Sequence, residues 1–192
     1  MIQAICDIAT TFATLLLAAI AIWQEQIVNF LNPSKAVIEK ANFDGQLEGT
    51  QTEPSYTYHI KARCLTRFRS LRGCRIVFRE VVRKLDAGNE IRSNYPVWRQ
   101  LPWAPSERTE FRVTISSEQE ADAGIYYGNE DVYVIPCYVQ GGVFDSRVQR
   151  GERATVRLHL MADNMIHDIT ALLVIDMRGV PKTKPKLEIQ NG

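Results

Sequence analysis

Tyr56-Thr-Tyr-His-Ile-Lys-Ala-Arg-Cys-Leu-Thr-Arg67 alternates between apolar and polar side chains. Tyr58, Ile60, Ala62 and Cys64 fall on one face; His59, Lys61, Arg63 and Arg67 fall mostly on the other, interrupted by Leu65. Period two over such a length is the mark of a half-buried β-strand. The period returns in residues 74–84, where Ile76, Phe78 and Val82 read inward and Arg75, Arg79 and Arg83 outward. It returns again at Phe111, Val113 and Ile115, and at Ala154, Val156, Leu158 and Leu160.

Working outward, residues 132–139 and 171–175 are apolar on both faces, which suits covered strands, and 35–43 and 143–149 read as shorter ones. Asp44-Gly45, Asp86-Ala87-Gly88-Asn89, Gly141-Gly142 and Asp163-Asn164 supply turn chemistry between them. Residues 44–55 and the acidic 117–130 read as loops. Pro96, Pro102 and Pro105 predict an irregular or edge segment, whose Trp98 and Trp103 cover one end of the core. The lysine- and proline-bearing tail, 180–192, reads as a flexible end. Seven to eight short strands with no long amphipathic helix after residue 33 predict a mainly β chain, an antiparallel β-sandwich over residues 33–179.

The N-terminus obeys a different rule. Ile8-Ala-Thr-Thr-Phe-Ala-Thr-Leu-Leu-Leu-Ala-Ala-Ile-Ala-Ile-Trp23 passes without a charge. A helix crossing the hydrocarbon core needs about 20 apolar residues. Three readings compete: a single-pass transmembrane anchor, a secretory signal peptide, and a buried core helix. A signal peptide wants basic residues before its apolar run, whereas here Asp7 precedes it and the first lysines, Lys35 and Lys40, follow it. The anchor reading, over residues 1–32, is therefore preferred, with the domain on the cytoplasmic side of the inner (plasma) membrane by the positive-inside rule. Trp23, Ile27, Phe30 and Leu31 share one helical face and carry the helix beyond the membrane to Asn32-Pro33. Thr10, Thr14 and Ala18 recur every fourth residue, a small-residue stripe along which anchors of a homo-oligomer could pack.

Charge is the other uneven feature. The chain's net charge is +1, yet nine basic residues lie between His59 and Lys84 against one acid, Glu80. Were the two strands of this segment joined as a hairpin, Lys61, Arg63, Arg75, Arg79 and Arg83 would line one face, and Arg67, at the end of the first strand, is counted with them. Arginine suits bidentate holding of phosphate or carboxylate, so these residues are candidates for an anionic ligand or a lipid headgroup. They could equally pair with acids elsewhere in the chain, in a second copy or in an acidic protein partner. Aromatic side chains for base stacking are sparse here, which argues against nucleic acid.

No catalytic motif emerges: there is no GxSxG, HExxH, GxxxxGK[ST] or GxGxxG. His59, His159 and His167 are scattered; His159 and His167 with Asp163 and Asp168 do not have zinc spacing. The four cysteines form no CxxC pair. No enzyme activity, cofactor or metal is expected.

An anchor helix followed by Asn32-Pro33-Ser34-Lys35-Ala36-Val37-Ile38, the alternating strand from Tyr58, and a late strand ending in Ala162-Asp163-Asn164 resembles uncharacterised bacterial membrane-tethered immunoglobulin-like sandwich proteins. The resemblance implies a fold and carries no active site. The functional expectation is a non-enzymatic binding or assembly module at the cytoplasmic face. The alternative is a ligand-gated effector, similar in layout to small membrane effectors of bacterial antiviral systems, in which the basic face senses a nucleotide-like anion and the anchors oligomerise.

Overall fold

The computed structural model describes the chain apart from residues 1, 32–33, 51, 67–68, 86–87, 105–111, 140–141, 181–182 and 192, with side chains described over fewer positions still. One helix, α1 (Ile2–Leu31), precedes eleven strands. They are β1 (Ala36–Leu47), β2 (Ser55–Cys64), β3 (Leu71–Leu85), β4 (Glu90–Gln100), β5 (Val113–Ile115), β6 (Glu118–Tyr127), β7 (Val132–Val139), β8 (Gly142–Gln149), β9 (Glu152–Met161), β10 (Ile169–Asp176) and β11 (Lys186–Asn191). All pairings are antiparallel.

Two layers result. One holds β1-β2-β6-β7 with β8 on β7; the other holds β4-β3-β9-β10-β11 with β5 on β3. Between them the described ladder pairing is a single position, Gln100 with Tyr138, between β4 and β7. The inner faces form the core of a β-sandwich. Ile38, Tyr58, Ile60 and Ala62 meet Ile76, Phe78, Val156, Leu158, Leu160, Leu173 and Ile175, each essentially without solvent exposure. The alternation read at Tyr58-Ile60-Ala62 and along Ala154 to Leu160 is thus a real inward face.

Several expectations change. Among the described residues there are eleven strands, not seven or eight. β2 and β3 are not a hairpin: β2 pairs with β1 and β6, whereas β3 crosses to the other layer and pairs with β4, β5 and β9. The acidic stretch expected as a loop is β6, whose inward Ala121 and Ala123 are wholly buried beneath outward acids. The proline-bearing stretch forms most of β4, irregular between Arg99 and Asn94, so that its Tyr95-to-Trp98 portion leaves the ladder. The tail expected to be flexible contributes β11, paired along β10 from Lys186 to Asn191 with Leu187 buried.

α1 runs to Leu31, as its apolar face predicts. Its described side chains are all exposed: Phe12, Leu15, Leu16, Leu17, Ile20 and Trp23 stand between 48% and 69% accessible, uncovered by the sandwich. The buried-core-helix reading therefore fails for this stretch. The expected membrane span is not met either: among the described residues no helix is long and apolar enough to cross a membrane.

Candidate functional site: an acidic cleft and an arginine face

On the outer face of the first layer, β2 presents His59, Lys61 and Arg63, and register places β6 acids opposite them: Asp122, Glu120 and Glu118 respectively. Lys61 Nζ lies 3.3 Å from Glu118 Oε2, and Arg63 donates to Glu39 on the other neighbouring strand, β1. Pairs this exposed contribute about 0–1 kcal/mol each. A bulge between Tyr58 and His59 turns His59 onto Asp122, with Nδ1 3.1 Å from Oδ1. Both side chains are largely sheltered, 13% and 9% exposed. The Asp122 carboxylate against the ring holds the His59 pKa above its ordinary 6.5; burial opposes this, and Glu120 and Glu48 add to it.

β7 follows β6 only from Val132 to Val134, whereas its other edge pairs with β8 from Val132 to Val139. Residues 102–104 take the vacated edge. Asp122 N donates to Pro102 O (2.9 Å), Ala104 N donates to Glu120 O (3.0 Å), and Trp103 bridges to Ala121. The Gln119 amide secures the segment by donating to Ala104 O at 2.8 Å. Between this segment, β2, β6 and the departing β7 opens a cleft of about 610 Å³. Its wall carries Glu48, Glu118, Glu120, Asp122, His59 and Thr57, with Pro102, Ile125 and Pro136 as apolar lining. This cleft was not legible in the sequence, since most of its acids read as a loop and its wall comes from five separate stretches.

The second layer is basic on its outer face. Arg79 sits over the Trp98 ring, 4.3 Å from its centroid, and Trp98 meets His159 edge-on at 4.9 Å. Trp98 reaches this position because its stretch of β4 leaves the ladder. Burial lowers the His159 pKa; Asp168 resists, while Arg157 and Arg79 add to the lowering. Arg75, Arg79 and Arg157 have no ion-pair partner among the described residues. Beside them a small depression of about 220 Å³ is lined by Arg157, His159, Thr170, Ala171 and Leu172.

The six basic residues proposed from sequence are therefore not one surface. Lys61 and Arg63 lie on the first layer, engaged with acids; Arg75 and Arg79 lie on the second. Arg67 lies outside the described residues. Arg83 takes neither outer face. An irregularity between Phe78 and Val81 shifts the alternation, so Val81 is 1% exposed and Arg83 falls in phase with it. Arg83 there approaches the buried Glu152 at 3.9 Å and donates to Arg147 O. Trp98, His159 and Arg157 join the arginine face, and sequence reading missed all three, because only β-pairing between distant stretches assembles them.

On α1, Thr10, Thr14 and Ala18 are exposed, and Thr14 Oγ1 donates to Thr10 O at 2.8 Å. Among the described residues no three His, Cys, Asp or Glu side chains are placed to hold a metal ion. Cys64 and Cys74 are thiols rather than a disulfide, and burial pushes Cys74 up to about 12. No protein-family model, no curated protein and no solved structure matches this chain.

Proposed function

We propose that the protein is a non-enzymatic recognition module: an immunoglobulin-like β-sandwich displayed on an N-terminal apolar helix that seats in the inner membrane, with the domain on the cytoplasmic side. The observation that carries this reading is the uncovered helix. Six large apolar side chains stand in solvent while the sandwich core is complete without them. An apolar helix left bare by its own domain needs lipid or another helix around it. The uncharged run from Ile8 to Trp23 supports lipid.

The immunoglobulin-like assignment draws support from strand order. β1-β2-β6 lie together in one layer and β4-β3-β9-β10 in the other. The chain crosses between layers after β2, after β5 and after β8, in keeping with the Greek-key routing of such sandwiches. The β7–β8 hairpin and β11 are then additions at the margins.

A second reading has its own support. Arg75, Arg79 and Arg157 lack acidic partners among the described residues, so the outer face of β3 and β9 is open to an anion, whether a lipid headgroup or a phosphate-bearing ligand. If that ligand draws the modules together, Thr10, Thr14 and Ala18 offer a stripe for helix association, and the protein works as a gated effector rather than a passive binder. Arg75→Glu with Arg79→Glu separates these readings. Loss of ATP binding by the variant supports the effector. Loss of binding to anionic vesicles alone assigns the face to lipid. Unchanged ATP binding, vesicle binding and oligomer size would leave the face without a role in recognition.

A further inference from the structure

The acidic cleft of the first layer is a separate site from the arginine face and calls for a ligand of opposite charge. We infer that it binds a small organic cation, an ammonium or guanidinium group on an aliphatic stem. Of its charged side chains, Lys61 is matched by Glu118, and His59 by Asp122. Glu48 and Glu120 line the same space with no ion-pair partner among the described residues.

An independent feature points the same way. Thr57 is 5% exposed and lines the cleft, yet its hydroxyl has no hydrogen-bond partner among the described residues. A buried polar atom left unsatisfied costs roughly 1–3 kcal/mol, so a hydroxyl of this kind at the wall of a cavity marks a place for a ligand donor. Carboxylates accept only and a hydroxyl can accept, whereas ammonium and guanidinium groups donate only; the two sets are complementary.

Shape selects the stem. Pro102, Ile125 and Pro136 form an apolar lining beside the acids, where methylene groups can lie. The outward β6 positions 118, 120 and 122 recur about every 6.7 Å, giving a row of carboxylates that a linear diamine can follow. With two of the carboxylates already engaged by basic side chains, the remainder suit diffuse organic cations better than a fully enclosed metal ion.

Agmatine, which carries a guanidinium and an ammonium group on one aliphatic chain, is the probe. Titrated calorimetrically into the full chain at fixed ionic strength, it is expected to give saturable heat, with affinity falling about tenfold in Glu120→Gln, the loss of one charge-assisted contact. Thr57→Val, nearly isosteric, is expected to weaken it several-fold, and Arg79→Glu on the opposite layer to leave it unchanged. 1-Pentanol, a stem without the charge, is expected not to bind. Glu120 is exposed, so its variant keeps the fold, which an unchanged thermal midpoint verifies. Absence of saturable agmatine binding, equal affinity in Glu120→Gln, or equal binding of 1-pentanol would overturn the assignment. None of these results bears on the anion face, whose variants lie on the other layer.

Discussion

Gly124 has no room for a side chain. A Cβ there would stand 2.3 Å from the Tyr133 ring, which is itself fully buried. Gly124→Ala must displace that ring and is expected to cost about 1–3 kcal/mol, read from the shift in urea midpoint. The two sheltered histidines set opposite pH dependences. Folding raises the His59 pKa above 6.5, so the native state holds the proton more tightly than the unfolded chain. Its stabilisation is complete below pH 6.5 and fades as pH rises through the raised value. His159 is lowered, so its share is complete above pH 6.5 and is lost as pH falls through the lowered value. Urea midpoints measured across pH should therefore decline less on the alkaline side in His59→Gln and less on the acid side in His159→Gln; parallel profiles for all three proteins would refute both assignments. Arg83 shows where reading residue by residue stops. Period two placed it outward, but one irregularity in β3, invisible in composition, puts it on the inner side beside Glu152.

At the scale of elements, strands whose inward residues are large were legible, and those built on small ones were not. β9 was evident from Ala154, Val156, Leu158 and Leu160. β6 was not, because its inward residues are Ala121 and Ala123, and its outward acids resemble a solvated loop until β2 is laid beside them. β11 has only Leu187 and Ile189 to declare it, and its standing depends on the apolar edge of β10 that it covers. Leu187→Ala is expected to destabilise by about 2 kcal/mol. Removing residues 186–192 bares the β10 edge, and light scattering on heating should then rise well above that of the full chain. The ion pairs between strands matter far less: Lys61→Ala should change stability by under about 1 kcal/mol, since Glu118 is 52% exposed.

For the whole molecule, two separable parts follow from the burial pattern. The sandwich closes its own core, and α1 contributes none of the described buried side chains. Residues 34–192 should therefore fold alone with the thermal midpoint of the full chain, within a degree or two, and under the proposed tether the helix would set where the domain is held. The sequence suggests the same division, because an uncharged run and alternating strands follow different patterns. The pairing of the layers was hidden, and with it the cleft, since β2, β6 and residues 102–104 meet only in three dimensions. The most direct test of a tethered recognition module is flotation with liposomes followed by alkaline carbonate extraction, comparing the full chain with residues 34–192. The tether predicts that the full chain floats and resists extraction until detergent is added, while residues 34–192 stay at the bottom of the gradient. A full chain that remains with the unbound fraction, or a shortened one that floats equally well, would contradict it.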